Sequence, residues 1–147
     1  MNILLFIICL ILTSELNAEK FKFSKIVDGL TSPWSFSFIN QNKILITEKS
    51  GKLNLVNLQN KSIKNIGHNL NILEEGQGGL LDILFDDNII YISYSEVRGE
   101  GKSSTSIASG KFNIKKVYFK NIFRANPPIG SGYHFGSRIV IKDKFLF

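Results

Sequence analysis

One histidine lies in a loop whose composition suits acid–base chemistry. His134 stands in residues 130–138, with glycines on both sides and an apolar run beginning at Ile139. An imidazole is unprotonated in a useful fraction at neutral pH, so it can take a proton from a bound substrate. Glycines let the backbone approach a bound ring closely. His134 is therefore a candidate general base, and the alternative is a structural histidine that satisfies hydrogen bonds within its own loop.

A second glycine-rich loop, residues 76–79, leads into an apolar strand in the same way. Gln77 holds the place in this loop that His134 holds in the other, and its amide can both donate to and accept from a sugar hydroxyl or a quinone oxygen. The alternative is a turn residue that bonds only backbone. We predict that the two loops form one site, with Gln77 beside His134.

Two neighbours of His134 are candidates for ligand binding. Tyr133 precedes it and Arg138 follows four residues later. Arg138 could share the site or bond loop carbonyls as a structural arginine. The other histidine, His68, is predicted to lie on the surface. The sequence has no zinc-ligand spacing, nucleotide-binding loop or serine-nucleophile motif, so no metal ligands are predicted within it.

The elements that must position these loops are β-strands. Apolar and polar residues alternate along most of the chain, between turns rich in Gly, Asn and Asp, and no amphipathic helix is predicted beyond the first residues. The pattern predicts strands over residues 21–26, 34–38, 43–47, 52–58, 62–66, 80–85, 89–94, 103–112, 116–123, 137–141 and 145–147.

The strands form a repeat. Strand–turn–strand units begin at residues 33, 79 and 136, and intervals of roughly 45 to 60 residues are typical of propeller blades. We therefore predict an all-β fold, a β-propeller of which the chain encodes about two and a half four-stranded antiparallel blades; a β-sandwich is the alternative. Because a propeller needs about four to eight blades to close, we expect the N-terminal portion of a larger protein.

The first residues predict export. Residues 3–12 are apolar throughout and Ala18 offers a cleavage point, which is typical of a signal peptide over residues 1–18. The apolar run is shorter than the ~20 residues of a membrane-spanning helix; the alternatives are a buried strand or an uncleaved anchor. We expect a propeller portion over residues 19–147, periplasmic or secreted, with no membrane span after cleavage and, since Cys9 lies in the leader, no cysteine.

Composition agrees with a globular exported domain. Apolar residues make up 44% of the chain and charged residues 20%, close to ordinary soluble proteins. The net charge of +6 comes mostly from lysines spread along the sequence. Spread lysines are typical of solvated strand faces and protected sheet edges. Since no basic cluster is present, no nucleic-acid partner is predicted.

Several runs together resemble a known family. Residues 76–82 (GQGGLLD), 91–96 (YISYSE) and 134–138 (HFGSR), with Pro33 and Trp34 ahead of them, are similar in order and approximate spacing to the soluble aldose sugar dehydrogenases. These belong to the glucose/sorbosone dehydrogenase family, whose members use pyrroloquinoline quinone (PQQ). The resemblance extends from about Val27 to the last residue.

The resemblance implies a six-bladed propeller, exported to the periplasm, with PQQ and calcium in its axial pocket and an aldose as substrate. His134 then matches the base that takes the hydroxyl proton of the sugar, and Gln77 a polar residue near quinone and substrate. Tyr133 stands where relatives usually have a small acidic or amide residue, which bears on substrate preference. The family's calcium ligands and quinone-binding basic residues come from later blades, so this chain alone is expected to bind PQQ weakly or not at all.

The leading functional prediction is the N-terminal part of a PQQ-dependent dehydrogenase that oxidises the C1 hydroxyl of aldoses to lactones, with an electron acceptor that the sequence leaves open. One alternative is a non-catalytic propeller that binds a sugar or a protein. Another is a calcium-dependent lactonase, which would require acidic ligands converging on the axis.

Overall fold

The computed structural model describes residues 21–147; the predicted leader, residues 1–18, lies outside the described residues. Within this stretch all regular structure is β, and no helix in it is long and apolar enough to cross a membrane. The strands are β1 Pro33–Asn40, β2 Lys43–Glu48, β3 Leu53–Asn57, β4 Ile63–His68, β5 Leu80–Asp86, β6 Ile89–Val97, β7 Ser103–Lys111, β8 Lys116–Val117, β9 Lys120–Arg124, β10 Ile141–Lys142 and β11 Phe145–Leu146.

The strands form two blades and the beginning of a third. β1, β2, β3 and β4 make an antiparallel meander, and β5, β6, β7 and β9 make a second. β10 and β11 form a separate hairpin. These open, blade-like sheets confirm the prediction of an all-β partial propeller, in which β1 and β5 are the first strands of their blades.

The main core lies between the first two blades. Alternate residues of a strand point to the same face, so Leu45 and Leu53 of the first blade meet Ile90, Ile92 and Tyr94 of the second. The opposite face of the first blade carries a smaller cluster around Ile44, Ile46 and Val56 and leaves the aromatic side chains of β1 exposed. The two blades therefore share one apolar core, whereas β1 presents an open apolar face.

Three predicted strands were wrong. One is absent and two have other bounds, in each case because tertiary contacts replaced the expected pairing. Residues 21–30 form no strand, and Val27 and Leu30 instead pack on the Ile44 cluster. Residues 116–123 divide: β8 leaves the second blade to pair in parallel with β4, and only β9 continues that blade. Residues 137–140 form no strand, and the third blade begins at Ile141.

An ionic network around one buried carboxylate links β6, β7 and β9 of the second blade. Glu96 is only 7% exposed and accepts two hydrogen bonds from the Arg124 guanidinium, at 2.8 and 2.9 Å, and a third from Ser106 at 2.6 Å. Burial raises the pKa of this carboxyl, but the hydrogen bonds from Arg124 and Ser106 outweigh burial and hold the pKa below its ordinary value of 4.5. The network thus stabilises the folded state through the ionised carboxylate.

We expect Glu96→Gln to lower the free energy of unfolding at pH 7 by about 1.5–3 kcal/mol, the range for hydrogen bonds to a charged group. Because the pKa of Glu96 is lower in the folded state, its ionised carboxylate stabilises the fold at pH values above the unfolded-state pKa. That stabilisation is lost as the pH falls through the folded-state pKa. The difference between wild type and variant should therefore shrink below pH 4.5. Urea denaturation at pH 7 and pH 4 measures it, with the exposed Glu100→Gln as control; a difference independent of pH would contradict the assignment.

Candidate active site

The Gln77 and His134 loops are in direct contact. The Gln77 backbone amide donates to the Gly132 carbonyl at 2.6 Å, and the His134 backbone amide donates to the Gln77 side-chain oxygen at 3.0 Å. Both side chains are exposed on the surface of the described residues. The amide oxygen of Gln77 thus holds the backbone of His134, while its amide nitrogen can still donate to a ligand.

His134 has an unusual backbone conformation. Its φ angle is 66°, a left-handed value that is uncommon for residues other than glycine and that clusters at functional sites. The neighbouring Gly136 also has a positive φ, and a Cβ placed there would meet no atom within 4 Å. The backbone at Gly136, two residues after His134, is therefore open, and a flat ring could approach it.

Three side chains of the second blade hold the main chain that follows His134. Thr105 of β7 donates to the Phe135 carbonyl, Ser93 of β6 donates to the Ser137 carbonyl at 2.7 Å, and Asp82 of β5 accepts from the Ile139 amide at 2.6 Å. The main-chain groups that they bond belong to every second residue, at positions 135, 137 and 139. These contacts take the place of the strand predicted there.

Asp82 links the first two blades to the main chain that leads into the third. It is 3% exposed, and besides the Ile139 amide it accepts a hydrogen bond from the Ser35 hydroxyl of β1 at 2.5 Å. Sequence reasoning missed this residue, although a carboxylate within the apolar run LLDILF was a usable signal, since a buried charge needs partners.

Lys49 and Ser95 hold the Gln77 loop from the other side. The Lys49 ammonium donates to the Gly76 carbonyl at 2.5 Å. The backbone carbonyl of Lys49 accepts from the Leu80 amide at 3.1 Å. Ser95 of β6 accepts from the Gly79 amide at 2.7 Å. Both ends of the loop are therefore anchored, and a Cβ at Gly78 would lie only 2.7 Å from the Ser95 hydroxyl.

The two remaining predicted site residues, Tyr133 and Arg138, are exposed on either side of the His134 loop segment. Tyr133 is exposed, with its ring tilted by 54° against His134 at a centroid distance of 6.4 Å. Arg138 has an 81% exposed side chain and lies 3.7 Å from the Asp82 carboxylate. Their roles as ligand-binding residues stay predictions.

His68 is not the surface residue that was predicted. It ends β4, is half-buried, and its Nε2 lies 2.7 Å from the Gly51 carbonyl, while its Nδ1 accepts from the Leu70 amide. Its ring also packs edge-on against Phe119. These contacts make His68 structural, and they leave His134 as the histidine with an open imidazole in residues 21–147.

Comparison with known proteins decides the family. Residues 30–147 match the family model described as Glucose / Sorbosone dehydrogenase. The chain belongs to the glucose/sorbosone dehydrogenase family. The match covers both site loops and all eleven strands described above, so the predicted resemblance is confirmed.

Individual relatives agree. The chain is 33% identical over 130 residues to the aldose sugar dehydrogenase YliI of Escherichia coli (strain K12), covering 82% of this chain and 35% of that protein. It resembles the apo-form crystal structure of the soluble aldose sugar dehydrogenase from Escherichia coli with a TM-score of 0.73 and 32% identity, over 79% of this chain and 36% of that one. The chain thus spans about a third of the length of these relatives.

A more distant relative shares the fold. The PQQ-bound aldose sugar dehydrogenase from Streptomyces coelicolor is 20% identical, with a TM-score of 0.72 over 84% of this chain and 39% of its own. This chain therefore has the architecture of one part of a solved PQQ-bound protein.

The contact between the two loops is possible because Gly76 has no side chain. At Gly76, φ is +55° and a Cβ would overlap the Gly132 carbonyl. We expect Gly76→Ala to push the loops apart and destabilise the fold by about 2–4 kcal/mol, through backbone strain together with the clash. Gly101→Ala is the matched control, because Gly101 has φ +68° and open space around it. Urea denaturation compares them; equal losses would show that strain alone matters.

Proposed function

We propose that this chain supplies the first blades of a PQQ-dependent aldose sugar dehydrogenase, which oxidises the C1 hydroxyl of an aldose to a lactone. The carrying observation is the pairing of the Gln77 and His134 loops, with both side chains open to ligand, in a chain one-third identical to an aldose sugar dehydrogenase. Family membership favours the sugar, and the PQQ-bound relative favours the quinone.

His134 acts as the general base. Its imidazole takes the proton of the C1 hydroxyl as the carbon loses its hydride, and positioned bases of this kind accelerate reactions by about 10²–10⁴-fold. The contact with Gln77 holds the backbone that carries the imidazole, and the free amide nitrogen of Gln77 donates to a ligand oxygen. Tyr133 and Arg138 bound the substrate at the rim.

PQQ, when bound, would supply the hydride acceptor. The residues described here fit one edge of such a group: Gln77 and His134 offer hydrogen-bonding atoms, and Gly136 leaves room for a flat ring. Residues 21–147 contain no group of three or more His, Cys, Asp or Glu side chains that could hold a metal ion. The proposed calcium would therefore take its ligands from later blades.

The leader is proposed to deliver the protein to the periplasm or outside the cell. Its apolar run and Ala18 support this. N-terminal sequencing of the exported protein should then begin at Glu19, whereas a retained Met1 would contradict cleavage.

The test uses the complete propeller, meaning a closed ring that contains this chain and the later blades. Those blades come from the chain's own continuation or, in a chimera, from the matching part of the Escherichia coli relative. We expect aldose-dependent reduction of an artificial dye after loading with PQQ and calcium, and none without PQQ. Sugar binding without dye reduction would favour the non-catalytic propeller instead.

A further inference from the structure

A small cavity lies against the proposed base. Its volume is about 100 Å³, room for about three water-sized groups. It lies where the start of β7 meets the loop that leads to His134. Its lining combines serine and threonine residues with apolar and aromatic ones, including Ser103, Pro127, Ile129, Tyr133, His134 and Phe135.

One hydroxyl in this lining has no partner among residues 21–147. Ser103 is 1% exposed, and its Oγ makes no hydrogen bond there. The two following residues differ: Ser104 accepts from Arg98 at 2.8 Å, and Thr105 donates to the Phe135 carbonyl. Since alternate residues share a strand face, Ser103 points to the same side as Thr105, the side of the His134 loop.

The backbone of Ser103 holds this hydroxyl in place. Its amide and carbonyl both bond to Ile129 at 2.9 Å, so the strand end cannot turn away. A buried hydroxyl without a partner is costly, and a ligand hydroxyl that reached it would remove that cost. The apolar wall of Pro127, Ile129 and Phe135 matches a methylene group beside such a hydroxyl.

We propose that this cavity is the subsite for the hydroxymethyl group of an aldohexose, with Ser103 bonding its hydroxyl. The inference rests on the proposed function, because it places the C1 hydroxyl at His134. The ring hydroxyls are attached directly to the ring, whereas the hydroxymethyl group projects from C5, which shares the ring oxygen with C1. It is therefore the group of suitable size that reaches a cavity lined by the base itself.

The kinetic test compares D-glucose with D-xylose, which lacks the hydroxymethyl group. In the complete propeller, Ser103→Ala should lower kcat/KM for D-glucose by about 3- to 10-fold, the effect of one neutral hydrogen bond, and change D-xylose by less than about 2-fold. Ser103→Thr keeps the hydroxyl and should keep the preference. Ser109→Ala, on the same face of β7 but outside the cavity, should change neither sugar. An equal loss for both sugars, or no loss, overturns the proposal.

A second measurement does not need turnover. Saturation-transfer NMR of D-glucose with the complete propeller should show strong transfer to the C6 protons, and Ser103→Val, which fills the cavity, should weaken it selectively. 2-Deoxy-D-glucose should behave like D-glucose; dependence on its missing hydroxyl would assign the cavity to the 2-hydroxyl and overturn our assignment. Selective C6 transfer without oxidation would sink the proposed function alone, and oxidation without it would sink the subsite alone.

Discussion

Replacing His134 by glycine should lower kcat for aldose oxidation by about 10²–10⁴-fold in the complete propeller, the contribution expected from a positioned general base. Glycine is the informative substitution because residue 134 has φ 66°, which glycine adopts without strain. The variant removes the imidazole and leaves the backbone contact with Gln77 possible. Steady-state dye reduction at saturating sugar, PQQ and calcium measures the loss.

The control restores the missing base from solution. Added imidazole should recover part of the activity of His134→Gly, and more of it as the pH rises and the free imidazole loses its proton. Binding of PQQ should remain within about 2-fold of wild type, because the later blades are proposed to carry its main contacts. A variant that keeps the wild-type kcat would show that His134 is structural, and the mechanism above would fall with it.

Asp82→Ala should have the largest effect on stability. It leaves the half-buried Ser35 hydroxyl and the buried Ile139 amide without their acceptor, and a buried group left in this way costs about 1–3 kcal/mol. We expect the free energy of unfolding to fall by about 2–5 kcal/mol. Because Asp82 also holds the main chain that follows His134, kcat should fall as well, while KM for the sugar changes less.

Matched variants separate these effects. Asp86→Ala removes an exposed carboxylate from the end of the same strand and should change stability by less than about 0.5 kcal/mol. Ser35→Ala removes the contact with the first blade but keeps the contact with Ile139, so it should cost stability with little loss of kcat. If Ser35→Ala and Asp82→Ala lower kcat equally, Asp82 does not act through the His134 loop.

The strands of the blades could be predicted because their cause is local. Short runs of apolar or alternating residues, broken by turn residues, recur in β2, β3, β5 and β6, and each predicted strand there overlaps the observed one. The repeat of these units predicted the propeller, and the GQGGLLD and HFGSR runs predicted the family. The contact between the two loops followed from their equivalent places in successive blades.

Other features required the assembled blades. The division of residues 116–123 depends on an edge of β4 that is distant in sequence, and Asn69 helps it by exchanging hydrogen bonds with Phe119. The pattern around residue 116 carries no sign of that partner. The contact of His68 also required the assembled strands. Its ring bonds to the Gly51 carbonyl, 17 residues earlier, and the alternation of residue types does not predict that contact.

The sequence by itself determined the class of fold, the family and the two residues at the centre of the proposed chemistry. Those features depend on residue types, on the two-residue period of a strand and on the repeat length of a blade, all of which the sequence shows directly. Only the tertiary structure decided what holds the main chain after His134, namely Asp82, Ser93 and Thr105. It also decided that Ser103, whose hydroxyl has no partner within residues 21–147, lines the same cavity as His134. The physical reason is that the role of a polar side chain in a strand depends on its hydrogen-bond partner, and here the partners at residues 135, 137 and 139 are distant in sequence.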